Sequence, residues 1–413
     1  MNESAAVCPD TAYRRYLRVV FLSLLVLSVP LCTNFIFLRH ADEITGYPEL
    51  IRRQRDQGTL YGSGLNSTFF RYKLQLVRDV RPDVIAVGSS RVMQFQTRAF
   101  RASFVNAGGA ANTLNETRMF LDEMFRFHRP KLILMGLEFY LFNSRFFEPD
   151  SYPDHFYDET EITRDKLLSP FAWLATGKVP PRLYAQIVLG DIPSARGTRW
   201  PAMGINAIEN AMGFYPDGSY FYGGFFQGLS VQDVKFSNTL ERIHEGKRRF
   251  EYGTDIDAKR ISELREIIAV CRQNKVQLIL FLPPVAPAVL RCMQEMSEQY
   301  QYVDRLNTYL RSLDIEYYDF RDARSLGGSD CEFIDGFHAG NTMHYRMLQW
   351  VLKNRPHSAL IPYLNAEVFS PIVAQYTGHA MVPEDPGKLN FKEVDFLQIG
   401  CSKDSDVVSA IKP

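Results

Sequence analysis

Five short apolar runs, each closed by glycine, proline or a loop, constrain this chain more than any other feature. They are Asp83–Val87 (DVIAV, stopping at Gly88), Ser103–Asn106 (SFVN, ending in Ala107-Gly108-Gly109), Lys131–Gly136 (KLILMG), Val276–Phe281 (VQLILF, before Pro283-Pro284) and Ile315–Phe320 (IEYYDF). Runs of this length read as buried strands. Between them the period changes to that of helices. Thr113 and Glu116 make a capping-box pattern ahead of Leu114, Phe120, Leu121 and Phe125. Helices are also predicted over 256–274, about 287–312 and about 341–353. Strands alternating with helices imply an α/β fold, with a five-stranded parallel sheet covered by helices on both faces as three α/β/α layers.

A second constraint precedes the sheet. From Val19 to Leu38 there is no charged residue, and Arg18 and Arg39 bound the run. Twenty residues at about 1.5 Å each span roughly 30 Å, the thickness of a hydrocarbon core. A cleaved signal peptide is the competing reading, but its apolar region is usually about 7–15 residues and ends at small residues. Here the run continues into Phe35, Ile36, Phe37 and Leu38, which favours an uncleaved transmembrane helix in contact with the lipid bilayer. Arginines flank both sides, Arg14, Arg15 and Arg18 before it and Arg39, Arg52, Arg53 and Arg55 after it, so their count hardly orients the span. The short tail and large following domain set the expectation: a single-pass protein of the inner (cytoplasmic) membrane, with residues 1–18 cytoplasmic and the large domain extracytoplasmic or periplasmic. The predicted organisation is a tail (1–18), an anchor (19–38), a charged stem (39–80), an α/β domain (81–355) interrupted at about 140–250, and a C-terminal extension (356–413).

Charge excludes one class of partner. Lys plus Arg number 47 and Asp plus Glu number 47, so no basic field draws the chain to nucleic acid. Cys271, Cys292, Cys331 and Cys401 in the large domain allow three pairings. No Cys-x-x-Cys pair exists, and no carboxylate or cysteine spacing completes a site around His338 and His344, so neither a metal nor a cofactor is expected. The aromatic segment Phe214–Phe226 reads as core before it reads as a platform for sugar rings.

In open parallel sheets, ligands bind beyond the carboxyl ends of the strands. After the first run stand Gly88-Ser89-Ser90-Arg91, after the second Asn106-Ala107-Gly108-Gly109, after the third Gly136-Leu137-Glu138, and after the fifth Asp335-Gly336-Phe337-His338. Ser90 supplies a hydroxyl that needs a base to become nucleophilic. His338 supplies an imidazole that titrates near neutrality. Asp335, three residues earlier, can fix the ring tautomer. The amides of Ser90, Gly108 and Gly109 are candidate oxyanion donors. Asn106, Arg91 and Glu138 complete the set as candidate oxyanion or substrate-binding groups, although Arg91 also reads as pairing with a carboxylate, and Glu138 as an acid/base group or a solvated residue.

The order of these blocks, over about residues 80–355, resembles the SGNH (GDSL-like) hydrolase superfamily, with its flavodoxin-like sheet. The anchor, the Gly88-Ser89-Ser90-Arg91 block and the mid-chain insertion are most similar to a membrane-anchored branch of that superfamily. That branch contains proteins of teichoic-acid D-alanylation and of alginate and other exopolysaccharide O-acetylation. The resemblance implies a Ser90–His338–Asp335 triad. It also implies an acyl donor delivered through a membrane-bound O-acyltransferase and a polysaccharide acceptor. Two positions depart from the pattern: Ala111 stands at the second glycine of the Asn106 block, and Glu138 stands near the family's oxyanion Asn. An ionised carboxylate cannot donate, though the anchored branch also tends to lack that Asn. The expected function is O-acyl (acetyl) transfer or ester hydrolysis at the cell envelope. The alternative is a non-catalytic binding partner of a membrane-bound O-acyltransferase.

Overall fold

The structure, a computed structural model, describes residues 9–66, 69–147, 162–230 and 233–403. All five apolar runs form strands of one parallel sheet: β1 (Val84–Gly88), β2 (Phe104–Gly108), β3 (Leu132–Gly136), β4 (Gln277–Leu282) and β5 (Glu316–Asp319). Spatially they run β2-β1-β3-β4-β5. All residues of β1, β2 and β3 are buried, which is why these strands read as continuous apolar runs without alternation. The chain steps from β1 to β2 on one side, then returns past β1 to β3 on the other. That reversal opens a crevice at the carboxyl end of β1, where ligands bind in sheets of this order.

The N-terminal helix α1 (Pro9–His40) is longer than the charge-free run, and residues Thr11–His40 are apolar and long enough to cross a membrane. Its two ends differ. Phe21 and Val26 are 65% and 69% exposed, whereas Asn34, Phe37 and Leu38 are fully buried. The Asn34 amide donates to the Leu167 carbonyl at 2.9 Å and accepts the Tyr184 hydroxyl at 2.7 Å. Phe37 stacks on Tyr184 with centroids 4.7 Å apart and meets the edge of Trp173. The predicted boundary at Leu38 is therefore corrected. The last turns of the apolar run belong to the folded domain, because aromatic side chains from 164–188 cover them.

The predicted stem is corrected as well. Residues 41–80 are packed structure: helix α2 (Tyr47–Gln57), a two-residue strand Leu60–Tyr61 and helix α3 (Phe70–Val80). The charges that suggested a stem line one side of α2. There Arg52 pairs with Glu49, while Leu50, Ile51 and Gln54 are buried on the other. The interruption at 140–250 contributes Ala202–Met203, Met212–Phe214 and Tyr220–Tyr222, which join Leu60–Tyr61 in a small mixed sheet. Phe214, Tyr215, Phe221, Phe225 and Phe226 are buried, in keeping with the core reading. Residues 148–161 of the interruption lie outside the described residues.

Helix α4 (Leu114–Phe125) starts as its cap predicts. The Thr113 hydroxyl accepts the Glu116 amide at 3.1 Å, and Glu116 reaches back to the Asn112 amide at 2.7 Å. Later helices run over Ala258–Gln273 and Asn341–Asn354. The single helix expected at 287–312 is two, Pro287–Glu295 and Gln301–Arg311. The Tyr300 hydroxyl in the break donates to the carbonyls of Ile243 and Phe250. The extension after 356 wraps the domain as far as Lys403. It is fastened by a Cys331–Cys401 disulfide and by Glu393, which accepts the amides of Ala380 and Met381. Cys271 and Cys292 are free and buried.

Candidate active site

Two glycines let a turn lie directly on the sheet's rim. After β1 the chain makes a short 3-10 turn, Ser90–Val92, and Val92 drops onto the strand ends. A β-carbon on Gly88 would sit 2.7 Å from the Val92 side chain, and one on Gly136, at the end of β3, 2.5 Å from it. Gly88 also has φ 146°, a region that side chains avoid. The Ser89 hydroxyl caps the turn by accepting the Arg91 amide at 3.2 Å. The turn thus ends in Ser90 at the crevice beside β1.

His338 and Asp335 arrive from the other end of the sequence. The Ser90 Oγ lies 2.8 Å from His338 Nε2, and His338 Nδ1 lies 2.7 Å from Asp335 Oδ2. Asp335 Oδ1 accepts the backbone amides of Phe337 at 2.7 Å and His338 at 2.6 Å, so the Asp-x-x-His spacing closes a tight loop around its own carboxylate. Burial pushes the Asp335 pKa up, but the His338 ring and those amides outweigh it and hold it at about 2. With Asp335 ionised, Nδ1 carries the ring proton and the Nε2 lone pair faces Ser90. The His338 and Asp335 side chains are 21% and 24% exposed, enough for a reactant to reach them.

The remaining candidates converge on the same rim, but in other roles. Arg91 and Glu138 are corrected as substrate-binding groups. Arg91 is buried with its Nη1 on Glu138 at 2.7 Å, its Nε on the Phe337 carbonyl at 2.9 Å and its Nη2 on the carbonyls of Pro283 and Pro284 at 2.9 and 2.7 Å. Its guanidinium lies 4.0 Å from the Phe337 ring centroid. Glu138 also takes the Ser89 hydroxyl. This clamp ties the ends of β1, β3 and β4 to the loop carrying His338. Asn106 is a brace: its amide nitrogen donates to Val92 and Phe95 carbonyls at 3.0 and 2.9 Å, and its oxygen accepts the Gly108 amide at 2.8 Å. The Gly109 amide is bonded to the Gly88 carbonyl at 2.9 Å. Gly108 and Gly109 are thereby corrected as oxyanion donors, since their N–H groups are already engaged. Among the described residues of these rim loops, the amides of Ser89, Ser90, Ala111 and Glu138 have no hydrogen-bond partner, so Ser90 keeps its place as a candidate oxyanion donor and Ala111 joins it.

His344 does not pair with His338. It lies under Arg91, with Nε2 3.1 Å from the Arg91 carbonyl and Nδ1 2.9 Å from that of Gly340. Burial lowers its pKa to about 4. Its spacing from His338 did not disclose this role, because its partners are backbone atoms. Among the described residues no group of three or more His, Cys, Asp or Glu side chains is arranged to hold a metal ion. Compared with protein-family models and with curated proteins, the chain matches none.

Proposed function

We propose that this chain is a membrane-anchored serine acyl-ester enzyme of SGNH type, with helices on both faces of its sheet. The continuous Ser90–His338–Asp335 relay, at 2.8 and 2.7 Å, carries the reading. His338 takes the Ser90 proton as Oγ attacks an acyl carbonyl, and the Ser90 and Ala111 amides face the oxyanion. Collapse returns that proton to the departing alcohol or thiol and leaves Ser90 acylated. An acceptor hydroxyl then gives its proton to His338, takes the acyl group and regenerates Ser90. A sugar hydroxyl of an envelope polysaccharide makes the step a transfer, and water makes it hydrolysis. In this reading the exposed apolar turns of α1 lie in the inner membrane as a single span, the site faces the extracytoplasmic side, and the acyl donor arrives through a membrane-bound acyltransferase.

The test is ester turnover by the full chain in detergent, with an aryl acetate, with and without a glycan acceptor. Ser90→Ala is expected to lower the rate by about 10⁴-fold or more. Acceleration by glycan, with acetate appearing on it, assigns transfer. One observation favours a second reading. With Glu138 in place of a donor and both glycine amides engaged, the oxyanion site is reduced, as suits a non-catalytic partner that binds the acylated glycan or the acyltransferase. A wild-type rate no higher than that of Ser90→Ala would support the second reading.

A further inference from the structure

Helix α1 is longer than a bilayer needs. Its apolar stretch Thr11–His40 holds 30 residues, about 45 Å at 1.5 Å each, against a hydrocarbon core of about 30 Å. Something must decide which turns lie in lipid. Two helices of the interruption, α5 (Arg164–Thr176) and α6 (Pro181–Val188), flank the domain end of α1. Both run alongside it in its own direction. Leu167 and Tyr184 bond Asn34; farther along, Trp173 meets Phe37, and the His40 ring donates from Nδ1 to the Ile187 carbonyl at 2.9 Å. The first turns of α5 and α6 therefore point back toward the exposed turns of α1.

These two helices are thinly covered. Within α5 only Pro170 and Trp173 are buried, and within α6 only Ile187. Yet no charged residue occurs from Leu167 to Gly177 or from Leu183 to Gly190. A helix in water ordinarily turns charges outward, as helix Ala258–Gln273 does with Lys259, Arg265, Glu266 and Arg272. Here Ile162, just ahead of α5, and Phe171 are 53% and 40% exposed. Phe35 and Ile36 are exposed too, within about 3 Å of Asn34 along the α1 axis. At one depth, then, apolar side chains face outward from α1 and from its flanking helices. Trp173 and Tyr184 stand at that depth, ring types that gather at membrane–water interfaces. Charge is confined to the ends, with Arg164, Lys166, Lys178 and Arg182 against Asp165 and Asp191. That excess of cations suits an anionic lipid surface, and Arg164 and Arg182 are exposed in the first turns.

We propose that α5 and α6 form a collar that rests on the bilayer at the level of Asn34, with Ile162 and Phe171 among the lipids and Arg164 and Arg182 on their phosphates. Helices so placed dip about 5–10 Å into the boundary between headgroups and acyl chains. Their charged first turns are too costly to follow into hydrocarbon, so the collar stops α1 there and leaves about twenty residues before Asn34 as the span. Arg14, Arg15 and Arg18 then fall at the far face, where long side chains reach water. The collar deepens the membrane-anchored reading and rests on it, but not on the acyl chemistry. The test places the photoreactive residue p-benzoylphenylalanine singly at Val26, Ile162, Phe171 or Thr308 of the full chain in phosphatidylglycerol nanodiscs, and reads intact mass after irradiation. Thr308 is exposed on helix Gln301–Arg311, by β5 at the sheet edge opposite β2. One-phospholipid adducts are expected at Val26, Ile162 and Phe171, and none at Thr308. Arg164→Glu with Arg182→Glu is expected to remove the Phe171 adduct and keep that of Val26. The substituted collar residues are exposed, so the core is left intact, and thermal unfolding checks that each variant is folded. An adduct at Val26 with none at Ile162 or at Phe171 overturns the collar and leaves the anchor standing, whereas no adduct at Val26 overturns the anchor itself. A Phe171 adduct that survives the arginine changes overturns the phosphate contacts. A Phe171 crosslink to a second copy of the chain, or to another protein in native membranes, in place of lipid also overturns the collar.

Discussion

Two layers meet at the carboxyl end of the sheet, and they treat polar side chains in opposite ways. On the rim, Ser90, His338 and Asp335 form a single line of hydrogen bonds, and the acid and base keep about a fifth of their surface open. Just beneath, Arg91, Glu138, Ser89 and Asn106 are almost fully buried and cross-linked to one another and to backbone carbonyls. Adjacent serines of one motif are divided between the layers: Ser89 caps the turn and Ser90 faces the reactant. The lesson is that accessibility and incomplete bonding, rather than residue type, separate chemistry from scaffold here.

This contrast can be broken by moving each layer separately. The largest effect expected is on rate. Asp335→Asn keeps the shape but favours the wrong histidine tautomer. Ester turnover is expected to fall by about 10⁴-fold, far more than the modest drop in thermal midpoint from losing the ionised Asp335, and a folded variant that keeps its rate would place Asp335 in the scaffold. Next is the clamp. Glu138→Ala leaves the buried Arg91 guanidinium without its counter-charge, at an expected loss of about 3–5 kcal/mol of stability, read by denaturant unfolding. A loss below about 1 kcal/mol would make the clamp dispensable.

A third, smaller effect is on pH. His344 under the clamp has a folded pKa of about 4, against about 6.5 for an open chain. Between those values the unfolded chain binds the extra proton, so stability falls as pH drops from about 6.5 to 4, by about 3 kcal/mol in all. His344→Gln is expected to flatten that window in thermal scans. Asp335 acts lower down. Its folded pKa of about 2 lies below the unfolded value, so its contribution is present above about pH 4 and fades as pH falls toward 2. The smallest effect concerns the wrap. Removing the Cys331–Cys401 link, which closes 70 residues, is expected to cost about 2–4 kcal/mol and to leave the triad's rate intact.

Much of the rim was legible because chain order and strand ends are written locally. Apolar runs closed by Gly88, Gly109, Gly136 and Pro283 gave the strands, and the blocks after them gave Ser90, Asp335 and His338. The donors were not legible. Whether the Gly108 amide is available depends on where the Asn106 side-chain oxygen lies, and that is fixed by Val92 and Phe95 on a neighbouring turn. The stem was misread for a related reason. Arg52, Arg53 and Arg55 advertise solvent, but Tyr47, Leu50, Ile51 and Gln54 on the far side of the same helix are buried, and Gln54 donates to the Phe214 carbonyl.

The seam between Asn34, Phe37, Trp173 and Tyr184 has a mechanical meaning. A domain hung on a loose string samples many orientations and reaches far. One whose supporting rod is bolted into its own interior keeps a fixed pose and a fixed height. Whatever medium receives the exposed turns of that rod therefore also sets the direction in which the Ser90 crevice looks, and reactants must come to it.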